Sequence, residues 1–151
     1  MLILFLSLVS CKETIEPDGI WSVEVEGVGS DDIWCTLDET GFQQTYEYSL
    51  YYDGSALELE VDGDAFATGE VYGCSISYSS YIYLESSDAG DFRWRIDGEA
   101  DAEASGGSCD DIPDQYDWYG TETLTVVDTD NDAVPEGCTY NMTVQGTYIS
   151  D

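Results

Sequence analysis

Apolar and polar residues alternate along this chain in one short run after another, and a period of two admits little besides β-structure. Trp21, Val23 and Val25 alternate with Ser22, Glu24 and Glu26. Tyr46, Tyr48, Leu50 and Tyr52 share one side of a later run, and Leu57, Leu59 and Val61 are interleaved with Glu58, Glu60 and Asp62. Asp53-Gly54-Ser55 reads as a turn and Asp62-Gly63 as a tight hairpin, because both dipeptide positions tolerate positive φ. Residues 65–72 predict a weaker strand with a bend or bulge at Gly69. The next run, 74–84, places Cys74, Ile76, Tyr78, Ile82 and Leu84 on one side, with Tyr81, Tyr83 and the serines on the other. Phe92, Trp94 and Ile96 then point inward, with Arg93, Arg95 and Asp97 outward.

Residues 99–120 interrupt the rhythm with Gly, Ser, Asp and Pro113. It resumes in Leu124 and Val126, and in Tyr140, Met142, Val144 and Tyr148. Ile33, Cys35 and Leu37 mark a further run or an extension of the first. No window carries apolar residues at helical spacing, so no helix is expected beyond the N-terminal segment. Strands that bury one face and wet the other are the habit of antiparallel sheets. The expected fold is all-β, a single antiparallel meander of about eight strands closed as a small barrel or a two-sheet sandwich. Gly19-Ile20-Trp21 with a meander behind it loosely resembles the lipocalin and avidin class of barrels. That resemblance implies a carrier of a small hydrophobic ligand and transfers no binding residue.

The first residues follow a different logic. Met-Leu-Ile-Leu-Phe-Leu-Ser-Leu-Val-Ser-Cys is too short to span a bilayer, which takes about 20 apolar residues, and it suits the apolar region of an export signal. Its end, Leu8-Val9-Ser10-Cys11, resembles the lipobox of bacterial lipoproteins. The resemblance implies cleavage before Cys11, a lipidated (palmitate-bearing) Cys11 as the first mature residue, and a membrane anchor of several acyl chains, since one alone holds only marginally. In Gram-negative members of that family an Asp after the cysteine favours the inner membrane; with Lys12 there, the resemblance implies the outer membrane of a bacterial cell envelope. The expected organisation is a signal peptide over 1–10, a lipidated tether over 11–18 and an all-β domain over 19–151.

Four cysteines remain: Cys35, Cys74, Cys109 and Cys138. An even number in an exported domain implies two disulfides. Of three pairings, Cys35–Cys74 and Cys109–Cys138 are favoured here, each closing a loop of roughly 30 to 40 residues and worth on the order of 3–4 kcal/mol. The spacings hold no Cys-x-x-Cys and the chain has no histidine, which argues against zinc.

Charge restricts the partners. Against 33 acidic residues stand Lys12, Arg93 and Arg95, for a formal charge of −30 over 151 residues. Such a surface repels nucleic acid and anionic head groups. Lacking histidine, the chain offers no Ser-His or Cys-His nucleophile pair, and its acids sit mostly at outward positions or in turns, so no catalytic residue is assigned. Asp128, Asp130 and Asp132, two apart and followed by Glu136, space hard oxygen ligands as calcium loops do, so calcium is the one cofactor considered. The helix-loop-helix pattern itself is not met, with Ala133 where its Gly belongs and Thr139 where its Glu belongs. Arg93 and Arg95 are expected to pair with acids of neighbouring strands, such as Glu58 or Glu60. The many tyrosines suggest cross-strand packing, a pocket, or a platform for carbohydrate. The function expected is that of an envelope-anchored surface or binding lipoprotein without catalytic activity. A hollow interior would instead favour the hydrophobic-ligand carrier.

Overall fold

Most of the alternating runs among the described residues become antiparallel strands with their apolar side turned to a common interior. The strands are β1 (Gly19–Gly29), β2 (Gln43–Tyr52), β3 (Leu57–Val61), β4 (Asp64–Tyr72), β5 (Ser75–Ser80), β6 (Tyr83–Ser87), β7 (Gly90–Ala102), β8 (Trp118–Thr129) and β9 (Thr139–Ser150). The computed structural model describes residues 14–30, 35, 42–87, 90–102, 109, 116–130 and 134–151. Hydrogen bonding runs β5-β4-β3-β2-β1-β9-β8-β7, and β5 also pairs with β7, so eight strands close on themselves. The fold is therefore a barrel and not a sandwich. Eight strands enclose an interior that side chains can fill, or that can hold one small ligand. The run at Ile33 and Leu37 lies outside the described residues.

Closure depends on a break between β5 and β6. Both pair with β7, β5 along Asp97–Asp101 and β6 along Gly90–Trp94. Between them the chain leaves the ladder: Ser80 Oγ accepts the Ile96 N–H at 2.8 Å, and the Tyr81 N–H donates to the Phe66 carbonyl at 2.9 Å. Side-chain parity changes across the break. Ile76, Tyr78 and Ser80 are buried, yet Ile82 and Leu84 are 57% and 62% exposed while Tyr83 stacks on inward rings. The expectation that Ile82 and Leu84 face in and Tyr83 faces out is thereby corrected.

The Asp62-Gly63 hairpin forms as the sequence predicts, with φ of 52° and 86°. The bulge expected at Gly69 lies instead at Phe66, where the register with β3 shifts between Leu59 and Glu60. The extra residue turns both Phe66 and Ala67 into the interior. Gly69 serves a close approach: a Cβ there would stand 2.1 Å from the Ser77 carbonyl oxygen.

One half of the barrel is packed solid. Trp21, with no exposed surface, meets Tyr148 edge-on at 5.5 Å and Tyr116 at 5.9 Å, and donates its Nε1–H to the Tyr116 carbonyl. Leu50, Leu57, Ile76, Ala100 and Trp118 fill the space around it. Packing begins before β1. Ile15 donates its N–H to the Gly73 carbonyl at 2.9 Å, and Ile15 and Pro17 are buried, so the chain is held to the barrel from within the segment read as tether.

The disulfides staple opposite ends, in a pairing that differs from the favoured one: Cys35–Cys138 and Cys74–Cys109. Strand order explains the difference. β1 runs antiparallel beside β9, which sets the chain leaving β1 next to the chain entering β9, where Cys35 and Cys138 lie. Cys74 precedes β5, and its carbonyl accepts the Ala102 N–H at the end of β7, the departure point of the segment holding Cys109. Neighbours in sequence were the wrong guide because closure brings distant ends together.

Peptide mapping under non-reducing conditions should recover 35–138 and 74–109 linkages and no 35–74 peptide. With sequence separations of 103 and 35, paired Cys→Ser removal should cost about 5 and about 4 kcal/mol respectively in denaturant unfolding.

Candidate functional site

The other half of the interior is hollow. A cavity of ≈ 660 Å³ opens between β1, β2, β3, β4, β6, β7, β8 and β9, and reaches the surface beside the exposed carboxylates Asp64 and Glu85. Its walls come from the inward rows that alternation marks: Val25 and Tyr46, Phe92 to Ile96, Leu124 and Val126, Tyr140 and Met142. A strip of rings climbs one side. Tyr48 lies 6.0 Å from Phe66, Phe66 stacks on Tyr83 at 5.8 Å, and Tyr83 stacks on Trp94 at 4.9 Å. The displaced Phe66 and the parity change at β6 both contribute, since each swings a ring inward that regular pairing would have turned away.

Glu122 forms the floor. It sits on β8 in the inward row Trp118, Gly120, Glu122, Leu124 and Val126, and is 1% exposed. Tyr78 donates its hydroxyl to Oε1 at 2.6 Å and Tyr48 donates to the same oxygen at 3.0 Å. Oε2 takes part in neither bond. Tyr78 reaches Glu122 by lying across Gly98, its partner on β7; a Cβ at Gly98 would stand 2.3 Å from Tyr78 Cζ. Trp118 likewise lies across Gly146, where a Cβ would fall 2.2 Å from its Cε2. Small residues facing inward thus make room for the large ring on the adjacent strand.

Burial holds the Glu122 carboxyl above the ordinary carboxylate value, against the two tyrosine hydrogen bonds, which pull it down. Tyr48 and Tyr78 are pushed well above the ordinary phenol value, by burial first and then by the Glu122 charge, and they stay donors across the accessible pH range. Among the described residues no Lys or Arg lines the cavity. Trp94 Nε1, in its wall, is buried without a hydrogen-bond partner among the described residues, as are Tyr116 Oη and Trp118 Nε1 in the packed half.

Other candidates from the sequence lie outside this cavity. Asp128 meets Arg93 at 3.4 Å, and Asp130 Oδ1 accepts the Asp91 N–H at 2.7 Å. Glu136 is exposed in the turn before Cys138, and Asp132 falls outside the described residues. Among the described residues no three acids, cysteines or histidines gather to share a metal ion. Arg93 finds Asp128 on β8 and Arg95 finds Asp97 on its own strand at 3.1 Å, in place of Glu58 or Glu60, since β7 does not border β3. Of the tyrosines, Tyr46, Tyr48, Tyr83 and Tyr140 line the cavity, while Tyr51 on β2 and Tyr81 between β5 and β6 are exposed. A shallower polar groove of ≈ 590 Å³ crosses Gly69, Tyr78 and Gly98.

Nothing matches it. No family model, curated protein or solved structure matches this chain. The site therefore rests on its own geometry. Sequence reasoning missed Glu122, although a signal existed: it shares parity with Trp118, Leu124 and Val126, and an acid in an inward row is an acid to examine.

Two measurements follow. Gly98→Ala should cost about 1–3 kcal/mol in denaturant unfolding, since the added methyl displaces a buried ring. Glu122→Gln keeps an Oε1 acceptor for both tyrosines and removes the titration. The folded carboxyl holds its proton to higher pH than the unfolded one, so its stabilisation is present at low pH and lost as pH rises through the folded value. The stability of wild type relative to Glu122→Gln should therefore fall as pH climbs above 4.5, the carboxyl's ordinary value. The difference between the two proteins is the readout, which cancels the background of the other acids.

Proposed function

We propose that the barrel binds a small, largely apolar molecule in its hollow half and that the protein works as a carrier or receptor held at the bacterial envelope by a lipidated Cys11. The observation that carries the binding half is the cavity of ≈ 660 Å³, in the size range of small-molecule sites and lined mainly by aromatic and aliphatic side chains with one buried polar centre. The packed half, Trp21 at its heart, gives that cavity a fixed floor. Rigid walls lower the entropy lost on binding. Among the described residues Glu122 stands in the cavity without a serine–base pair or second buried acid beside it, the chain has no histidine, and the two partners of Glu122 are tyrosines that keep their protons. That arrangement suits holding a ligand better than transforming one.

The envelope half is supported by the sequence Leu8-Val9-Ser10-Cys11 and by the disulfides, which belong to oxidising compartments. It is independent of the cavity, and the two can fail separately.

Nile red, neutral and sensitive to apolar surroundings, tests the cavity. A ligand with on the order of twenty heavy atoms at about −0.3 kcal/mol each binds with about −6 kcal/mol, or tens of micromolar. One such site per chain is expected, and Leu124→Trp, which puts a larger side chain into the cavity, should weaken it while circular dichroism stays native. Absence of a saturable site in the wild type contradicts the reading. For the anchor, Cys11→Ser should move the protein from the membrane fraction to the soluble fraction of an expressing bacterium; unchanged partitioning contradicts it.

A further inference from the structure

The charge of the cavity narrows what it takes. Among the described residues its ionisable lining is acidic apart from tyrosine: Glu122 on the floor, Asp64 and Glu85 at the mouth. Arg93 and Arg95, the cations among the described residues, point outward and meet Asp128 and Asp97. A buried carboxyl with no cation near it is costly to ionise, and fold stability alone would favour an apolar residue of similar volume. Tyr48 and Tyr78 fix Glu122 through one oxygen, Oε1, and the second oxygen is used by neither.

Above that carboxyl rises the strip Tyr48–Phe66–Tyr83–Trp94, neighbouring centroids 4.9–6.0 Å apart. Aromatic faces carry negative potential and attract cations, the more so when water is excluded. They also accept flat apolar bodies by stacking. Around the whole lies a formal charge of −30, which concentrates cations and repels anions. Floor, wall and field agree in sign.

Resting on the reading of the interior as a binding site, we propose that the cavity takes an organic ammonium ion, its N–H groups on Glu122 and its flat apolar body along the Tyr48–Phe66–Tyr83–Trp94 strip. The ion supplies the charge partner that Glu122 lacks. It also brings down the burial-raised proton affinity of that carboxyl, as any close cation does. An acidic ligand of the same shape would meet three carboxylates and no cation. A neutral one would leave Glu122 desolvated and unmatched.

Three compounds that share one ring system separate these cases: 2-(1-naphthyl)ethylammonium, 2-(1-naphthyl)ethanol and 3-(1-naphthyl)propionate. Titrations of the full folded domain by calorimetry, at matched high ionic strength to screen the general field, should rank ammonium over alcohol by at least about tenfold, with no detectable binding of the carboxylate. Glu122→Gln changes the overall charge by a single unit and keeps both tyrosine bonds. It should weaken the ammonium at least about tenfold and leave the alcohol within about twofold. Tyr83→Leu should weaken both. Equal affinity of ammonium and alcohol for the wild type, or an ammonium affinity untouched in Glu122→Gln, overturns the ammonium assignment while the cavity reading stands. Failure of all three compounds, together with failure of Nile red, overturns both.

Discussion

Two tyrosine hydroxyls on one buried carboxyl oxygen divide this barrel. Tyr48 from β2 and Tyr78 from β5 reach Glu122 on β8, so the contact ties three separated parts of the cylinder across its interior. A buried carboxyl without such donors would be far more costly. With them it fixes where the packed half stops and the hollow half starts. The rest of the architecture accommodates that layer: Gly98 is bare so that Tyr78 can cross it, and the β5–β6 break lets the wall beyond carry rings inward.

Much of the frame was legible because alternation is a direct record of which side of a strand is wet. The inward rows Trp21-Val23-Val25, Phe92-Trp94-Ile96 and Tyr140-Met142-Val144 stand as the sequence predicts, and Asp62-Gly63 turns as its residue types require. What was hidden depended on pairs of strands, not single ones. Gly98 and Gly146 carry no local signal, since a glycine's value there is the ring on the next strand, Tyr78 and Trp118. The ends of β7 and β8 were lost in a stretch that looked like loop. Tyr83 was misplaced, and the bulge was expected at Gly69 and not at Phe66, because a break and a bulge shift parity without leaving a strong residue signature. The disulfide partners followed from closure, which no local pattern encodes. Glu122 was passed over because its type suggested the surface while its position suggested the core.

The segregation of charge has a mechanical counterpart. Outward carboxylates repel one another around a small domain, and that repulsion works against the compact state. Bridges at both ends of the barrel oppose it, by restricting the unfolded chain more than the folded one. A body so stapled can leave half of its interior unfilled and still keep its walls in place. Stability drawn from the Trp21 half and from the disulfides thus leaves the other half available for binding.

The claim on which the account turns is that Glu122 is a buried carboxyl held by tyrosines, not a solvated surface acid. Side-chain carbon-13 NMR of selectively labelled Glu122 through a pH titration reads this directly. The account predicts titration above the ordinary carboxyl value of 4.5, and a further upward shift in Tyr48→Phe and in Tyr78→Phe, because each lost hydrogen bond removes a force that lowers it. Titration of the wild-type carboxyl at or below 4.5, unmoved by either substitution, would contradict it.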